Sequence, residues 1–269
     1  SALVESWVES SDLPQLKVVD CGEAFLSMGR EHRLRFKGKV IGVTGTCGKT
    51  STKDALHLLL DPDICHATSG NFNNLIGVPL TLLKIDAKRH RRAVIEAGIN
   101  EVGEMTKLAS AIAPDVAVIT MIGPGHLEGL GSVETVAREK ALLCEGAARE
   151  VVTVLPESCL QHEAFANLRG KHLVLRRGSP EREPDEGTII FDASTGTNQT
   201  GDAASLWLRR RGYPVASFPI PALSPGMTVN LALALATALE IGIGEEDACE
   251  RLKRHRPASM RGQQLDSGD

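Results

Sequence analysis

A glycine-rich turn between an apolar run and a helix-like segment constrains the fold of this chain more than any other feature. The apolar run covers residues 40–44, and the segment with helical spacing covers residues 52–58. The turn consists of Gly45, Thr46, Cys47, Gly48, Lys49, Thr50 and Ser51. Such a turn points several backbone N–H groups at one place before a helix, where a phosphate can bind. The sequence therefore predicts a strand, a phosphate-binding loop and a helix in succession.

Two side chains of this turn favour a nucleotide bound with magnesium. Lys49 adds positive charge toward the terminal phosphates, and the hydroxyl of Thr50 is a ligand type that holds Mg²⁺. The literal G-x-x-x-x-G-K-[ST] pattern fails at its first glycine, where Val43 stands. The prediction therefore rests on the strand–turn–helix context. The alternative is a turn before an ordinary helix, but turn chemistry alone does not explain Gly-Lys-Thr at a helix start.

The composition predicts a cytoplasmic protein with a substantial core. Hydrophobic residues make up 42% of the 269 residues, and the net charge of -4 gives no basic footprint for nucleic acid. No apolar run approaches the ~18 residues that cross a membrane, so no membrane insertion is expected. The N-terminus lacks the pattern of a signal peptide, and the six cysteines contain no C-x-x-C pair. The cysteines are therefore expected to be reduced.

Apolar runs alternate with helix-like segments through the middle of the chain. The runs cover residues 64–67, 93–96, 116–120, 151–155 and 172–175. Segments with helical spacing lie between them, at 105–112 and 133–142. Unbroken apolar strands that alternate with helices are typical of a parallel sheet covered on both faces.

The pattern changes near residue 187. Three short runs separated by Gly, Asn and Asp predict a small antiparallel meander, at residues 188–191, 205–208 and 215–218. Two helices are expected after it, at 228–241 and 245–254. The predicted fold class is therefore α/β, a P-loop-type parallel sheet with helices on both faces plus a small antiparallel β meander.

Polar side chains follow several predicted strands at their carboxyl ends, where open parallel sheets bind ligands. Glu96 ends one strand, His126 lies in a loop after another, and Asn71, Asn73 and Asn74 lie in the loop after a third. A carboxylate and an imidazole near a phosphate loop suit Mg²⁺-ATP chemistry. Taken singly, these residues are explained as a solvated strand cap, a hydrogen-bonded turn residue and turn-forming asparagines. Their common position beside a Gly-Lys-Thr loop favours a shared site.

Four segments resemble the Mur ligase family, in that family's order and spacing. They are residues 44–50 (TGTCGKT), 70–79 (GNFNNLIGVP), 96–98 (EAG) and 122–128 (IGPGHLE). The resemblance is strong over residues 39–140 and weaker beyond them. It is closest to the branch that adds D-alanyl-D-alanine to the UDP-N-acetylmuramoyl tripeptide.

The resemblance implies a three-domain enzyme, with a UDP-sugar domain, a central ATPase domain and a C-terminal domain that brings the amine. On that basis, residues 1–36 are a remnant or linker from the N-terminal substrate domain. Residues 37–269 are then the central ATP-binding domain, and the C-terminal amine-binding domain is absent. The chain alone is therefore expected to ligate poorly or not at all.

The resemblance also implies an activity and its partners. ATP phosphorylates a carboxylate of UDP-MurNAc-peptide to an acyl phosphate, and the amine of D-Ala-D-Ala then displaces phosphate. ATP and Mg²⁺ are the implied cofactors, and a monomer is expected. Two alternatives stay open: a related ligase with a polyglutamate or folate-tail acceptor, and a P-loop ATP-binding module without ligase activity.

Several residues match metal or phosphate positions of the family. Lys49 matches the phosphate lysine, Thr50 and Glu96 match the first Mg²⁺ site, and His126 matches a ligand of the second Mg²⁺. Lys140 falls where many members carry a carbamylated lysine. The alternative for Lys140 is a solvated helix lysine.

Other residues match nucleotide or substrate positions. Asn230 matches an asparagine on the adenine side, and Arg261 matches an arginine near the terminal phosphate. Substrate contacts are expected from Thr68, Asn71, Asn73 and Asn74. Departures from the family pattern occur at Ala97, Met121, Pro156 and residues 224–227.

Overall fold

The computed structural model describes residues 1–145, 150–168, 170–179, 181–196, 203–221 and 223–253. The strands are β1 (Ala2–Val4), β2 (Gln15–Lys17), β3 (Lys39–Thr44), β4 (Cys65–Ala67), β5 (Arg92–Glu96), β6 (Val116–Ile119), β7 (Val152–Pro156), β8 (His172–Arg177), β9 (Thr188–Gly196), β10 (Ala203–Arg210) and β11 (Ala216–Ile220). The helices are α1 (Cys21–Arg35), α2 (Lys49–Leu59), α3 (Gly77–Leu83), α4 (Glu104–Ile112), α5 (Leu127–Leu130), α6 (Val133–Ala141), α7 (Glu163–Ala166), α8 (Pro225–Glu240) and α9 (Glu245–Leu252).

A nine-stranded sheet organises the molecule, in the order β11-β10-β9-β8-β7-β6-β3-β5-β4. The pairs from β4 to β9 are parallel, whereas β10 runs antiparallel to both β9 and β11. Val43 pairs with Glu96 on one side and with Val118 on the other. The carboxyl ends of β3, β5 and β6 therefore lie side by side. The predicted fold class is confirmed, and the predicted meander continues the main sheet.

Both faces of the parallel strands are buried. Ile41 and Val43 of β3 pack with α2 and α8 in one hydrophobic cluster, which includes Leu56 and Leu233. Val40 faces the other way, into a second cluster formed with α3, α4 and α6. Successive strand residues point to opposite faces, so burial of both sets produces the unbroken apolar runs of the sequence.

Helix α1 packs against α3 and α4. Asp20 caps it by accepting a hydrogen bond from the backbone N–H of Glu23 at 2.8 Å. Near its other end, the buried Arg33 forms an ion pair with Asp115 at 3.0 Å and donates to the carbonyl of Ile112 at 2.9 Å. These contacts tie α1 to the sheet, because Asp115 directly precedes β6. The domain boundary at residue 36 stays a prediction.

Helix α8 begins three residues before the predicted start. Ser224 accepts from the N–H of Met227 at 3.4 Å, and Pro225 stands in the first helical turn. A serine cap followed by proline starts a helix efficiently, because proline lacks the N–H that such an end leaves unpaired. In the part of the chain that the structure describes, no helix is long and apolar enough to cross a membrane.

Candidate functional site

The glycine-rich loop, residues 45–51, joins β3 to the start of α2. Gly48 is left-handed at φ 86° and forms the N-cap of α2, where no side chain caps the helix within the described residues. A Cβ on Gly48 would stand 2.5 Å from Oδ1 of Asn230, and a Cβ on Gly45 would stand 2.0 Å from Oγ1 of Thr120. Both positions therefore require glycine. The start of a helix directs backbone N–H groups toward one place, which favours an anion there.

Two threonines hold the glycine-rich loop against the segment that follows β6. The N–H of Thr46 donates to the carbonyl of Met121 at 2.8 Å, and its Oγ1 donates to the carbonyl of Gly123 at 3.1 Å. The Thr120 hydroxyl donates to the carbonyl of Cys47. These bonds fix the shape of the glycine-rich loop and hold it beside the segment that follows β6.

The positive charge of the loop comes from Lys49, the first residue of α2. Its Nζ donates to the carbonyl of Gly45 at 2.9 Å and to the carbonyl of Thr46 at 3.2 Å. The ammonium thus lies over the loop itself. Thr50 and Ser51 follow in the first turn of α2, and the side chain of Cys47 is exposed.

Glu96 is a buried carboxylate at the carboxyl end of β5, with 1% of its surface exposed. Its Oε1 accepts from Nδ2 of Asn73 at 2.8 Å and from Oγ1 of Thr50 at 3.4 Å. Its Oε2 is buried and has no hydrogen-bond partner within the described residues. An unpartnered buried carboxylate oxygen is costly unless a cation or another donor satisfies it.

A hard cation fits the donors at this edge of the sheet. Carboxylate and hydroxyl oxygens are natural ligands of Mg²⁺, which is typically bound by one or two protein ligands plus waters and substrate phosphates. Oε2 of Glu96 and the hydroxyl of Thr50 offer such a pair beside the glycine-rich loop. No cluster of three or more His, Cys, Asp or Glu side chains with metal-binding geometry occurs among the described residues. Waters and phosphate oxygens would supply the remaining ligands of a cation here.

Lys140 is buried on α6, with 2% of its surface exposed. Burial, and secondarily the charge of Lys49, lower the pKa of Lys140 to about 7. No hydrogen bond or ion pair of its ammonium is found in the described part of the chain. The alternative of a solvated helix lysine is therefore wrong, because the side chain is buried and lies close enough to Lys49 for that charge to affect its pKa.

His126 lies in the loop after β6, the same segment that contacts Thr46. It is exposed, adopts a left-handed backbone at φ 53°, and precedes α5 directly. A non-glycine residue with positive φ is uncommon and stores some backbone strain. The loop brings His126 to the same sheet edge as Glu96.

The asparagine loop divides into residues with different contacts. Oγ1 of the buried Thr68 accepts from the N–H of Glu96 at 2.9 Å, and Asn73 contacts the carboxylate of the same residue. Oδ1 of Asn74 accepts a hydrogen bond of 2.8 Å from the N–H of Gly77, the first residue of α3. Asn71 is exposed. Substrate binding by these four residues stays a prediction.

A comparison with models of known protein families shows which family this chain belongs to. The model of the Mur ligase middle domain matches residues 43–203. This chain belongs to the Mur ligase family. A UDP-N-acetylmuramoyl-tripeptide--D-alanyl-D-alanine ligase from Escherichia coli is 36% identical over 247 residues, which are 90% of this chain and 52% of that protein. The Bacillus subtilis ligase of the same name is 32% identical over 225 residues, 83% of this chain and 46% of that protein. The chain spans about half the length of these curated relatives.

Solved Mur ligase structures share the fold. A crystal structure of MurF from Acinetobacter baumannii aligns with a TM-score of 0.77 at 26% identity, over 96% of this chain and 55% of that chain. MurF ligase from Thermotoga maritima, solved in complex with ADP, aligns with a TM-score of 0.74 at 22% identity, over 92% of this chain and 56% of that chain. L. casei FPGS aligns with a TM-score of 0.61 at 16% identity, over 91% of this chain and 70% of that chain. The last two likenesses show the fold alone.

Within this Mur ligase domain, most of the predicted site residues converge on one sheet edge. Asn230 of α8 lies against Gly48, and Lys140 lies within electrostatic reach of Lys49. Arg261 lies outside the described residues. Sequence reasoning missed Thr120, whose hydroxyl supports the glycine-rich loop. The sequence signal for Thr120 was its position as the last residue of the apolar run 116–120.

Proposed function

We propose that this chain is the nucleotide-binding part of an ATP-dependent amide ligase that adds D-Ala-D-Ala to UDP-MurNAc-tripeptide. The unpartnered Oε2 of Glu96, beside Thr50 and the glycine-rich loop, is the observation that carries the proposal. A buried anionic oxygen next to a helix start suits a cation that accompanies a nucleotide phosphate. The acceptor comes from the names of the relatives that the chain resembles.

The residues of the glycine-rich loop have separate tasks in this proposal. The N–H groups at the start of α2 bind phosphate oxygens, and the ammonium of Lys49 moves from the loop carbonyls to the terminal phosphates. Glu96 and Thr50 hold Mg²⁺, which when bound neutralises charge on the phosphates. Asn230, which lies over Gly48, borders the nucleotide on the α8 side.

The reaction needs no covalent bond to the protein. A substrate carboxylate oxygen attacks the terminal phosphorus of ATP, and ADP leaves, which gives an acyl phosphate. The amine then attacks the acyl carbon, loses a proton, and displaces phosphate to form the amide. The protein contributes positioning and stabilisation of developing negative charge.

Lys140 adds a further group to the proposed site. The lowered pKa leaves much of Lys140 as a neutral amine at physiological pH, and a neutral amine can attack carbon dioxide. The product is a carbamate anion with the released proton lost to water, which replaces a cation by a carboxylate-like ligand. We expect a protein-bound carbamate signal in ¹³C NMR spectra after addition of ¹³C-bicarbonate, and no such signal from Lys140→Met.

Positional isotope exchange tests the function before any amine is needed. ATP labelled with ¹⁸O in the bridge between its β- and γ-phosphates is mixed with Mg²⁺, the protein and one carboxylate substrate. Exchange with UDP-MurNAc-tripeptide supports the proposal, because reversible acyl-phosphate formation lets the ADP phosphate rotate. Lys49→Ala should abolish the exchange, and Lys88→Ala, an exposed lysine before β5, should retain it.

The same assay separates the two alternatives. Exchange only with glutamyl-tail substrates would indicate a polyglutamate or folate-tail ligase. ATP binding without exchange on any carboxylate would indicate a P-loop module without ligase activity. The proposal also implies a cytoplasmic location and a monomeric state, and both stay predictions.

A further inference from the structure

The carboxylate of Glu96 has two oxygens in different states. Oε1 accepts a hydrogen bond of 2.8 Å from Nδ2 of Asn73, and the 3.4 Å contact from Thr50 reaches the same oxygen. Oε2 is buried and has no hydrogen-bond partner within the described residues. Oε1 is therefore held by protein donors, whereas Oε2 is the oxygen that could bind a cation.

Asn73 is itself fixed against the end of β5. Its carbonyl accepts from the N–H of Gly98 at 2.8 Å, and its N–H donates to the carbonyl of Asn71 at 2.8 Å. A Cβ on Gly98 would stand 3.1 Å from the amide carbon of Asn73. An ionised carboxylate only accepts hydrogen bonds, so the amide must turn its NH₂ group toward Glu96.

The neighbouring asparagines have other roles in the same loop. The side-chain oxygen of Asn74 accepts from two backbone N–H groups at the beginning of α3, those of Ile76 and Gly77. Asn71 is exposed. Asn73 is therefore the member of the predicted substrate-binding set whose amide reaches the Glu96 carboxylate.

We propose that Asn73 is a positioning residue, whose amide orients Glu96 so that Oε2 faces the cation of the bound nucleotide. This inference rests on the proposed function, because it concerns the same Mg²⁺ site. Without the amide, the carboxylate loses its shorter hydrogen bond and can rotate, so that Oε2 no longer faces the cation. Partners that orient a metal ligand typically contribute 10–100-fold in metal affinity.

The test compares metal binding with metal-free nucleotide binding. Mn²⁺ affinity is measured by electron paramagnetic resonance of free Mn²⁺, in the presence of a non-hydrolysable ATP analogue. Affinity for the analogue alone is measured by calorimetry with a chelator present. The variants are Asn73→Ala and the matched control Asn100→Ala, an exposed asparagine in the loop after β5. Asn73→Ser, too short to reach Glu96, replaces the alanine variant if that one does not fold.

We expect Asn73→Ala to weaken Mn²⁺ binding by about 10–100-fold, while the metal-free affinity and the melting temperature equal those of Asn100→Ala. Unchanged Mn²⁺ affinity would overturn the positioning role. An equal loss of metal-free affinity would also overturn it, because that result indicates a general structural role. If the wild-type protein binds no metal–nucleotide complex, the proposed function itself fails, which is a distinct outcome.

Discussion

Thr46 and Gly123 hydrogen-bond to each other in both directions. The hydroxyl of Thr46 donates to the carbonyl of Gly123 at 3.1 Å and accepts from its N–H at 3.2 Å. One side chain therefore joins the glycine-rich loop to the segment that carries His126. The two bonds join the glycine-rich loop and this segment into a single unit.

Loss of this hydroxyl should loosen the unit. Thr46→Val leaves two polar groups of the buried Gly123 without their partner, so we expect the free energy of unfolding to fall by about 1–2 kcal/mol. Urea unfolding measures this difference. Thr46→Ser keeps the hydroxyl and is the matched control. Equal stability of the valine and serine variants would contradict the coupling.

The low pKa of Lys140 predicts a pH dependence of stability in buffer free of carbon dioxide. Burial, and then the charge of Lys49, lower the folded-state pKa from 10.5 to about 7. Between these values the unfolded chain binds the additional proton, so the Lys140 contribution makes stability rise with pH. We expect Lys140→Met to remove a rise of roughly 2 kcal/mol between pH 7 and pH 9. Denaturant unfolding at both pH values measures it, and parallel behaviour of the wild type and variant would exclude it.

A histidine group beside β4 predicts loss of stability in mild acid. The rings of His66 and His90 lie 5.1 Å apart, and burial is the main cause that lowers the pKa values of His57, His66 and His90. The folded-state pKa values lie below the usual 6.5, so these neutral histidines cost no stability above pH 6.5. As the pH falls below 6.5, the unfolded chain binds protons first, and the free energy of unfolding decreases.

The test replaces one ring of the pair. His66→Gln should lessen the fall in unfolding free energy between pH 7 and pH 5.5, because the folded state then has one fewer buried ring to protonate. His172→Gln, which changes an exposed histidine, is the control. Identical pH profiles for His66→Gln and the control would refute the assignment.

The ion pair between Arg33 and Asp115 predicts that α1 folds with the sheet. Arg33 is 1% exposed and also donates to the carbonyl of Ala113 at 2.8 Å. Removal of one partner of a buried pair typically costs about 3–5 kcal/mol, so Arg33→Ala should lower the melting temperature strongly. The exposed Arg35→Ala is the control in calorimetry. Similar melting temperatures for both variants would indicate that α1 is a separate segment.

The sequence predicts which elements follow one another along the chain, but not which strands lie side by side in the sheet. Residues 40–51 predict a strand, a turn and a helix, because the apolar run, the glycines and the start of the helical spacing follow one another directly. The contact of Thr120 with Cys47 depends on β6 lying beside β3, a pairing between strands with two other strands between them in the chain. No local pattern encodes that register, so the support of the loop by Thr120 was missed.

The same limit applies to Lys140 and Asn73. Helical spacing places Lys140 on α6 but cannot give its depth, which depends on how α6 packs against neighbouring elements. Asn73 looks like a turn residue in the sequence, and its bond to Glu96 requires β5 and the asparagine loop to meet. Strand ends can be predicted from apolar runs, whereas side-chain partners across the sheet edge require the assembled fold.

A crystal structure of the protein with Mg²⁺ and a non-hydrolysable ATP analogue would show directly whether the glycine-rich loop holds the nucleotide. We expect the triphosphate on the N–H groups of the glycine-rich loop, with Mg²⁺ bound by Oε2 of Glu96 and by the Thr50 hydroxyl. A triphosphate bound at another cleft, with the glycine-rich loop free of phosphate, would contradict it.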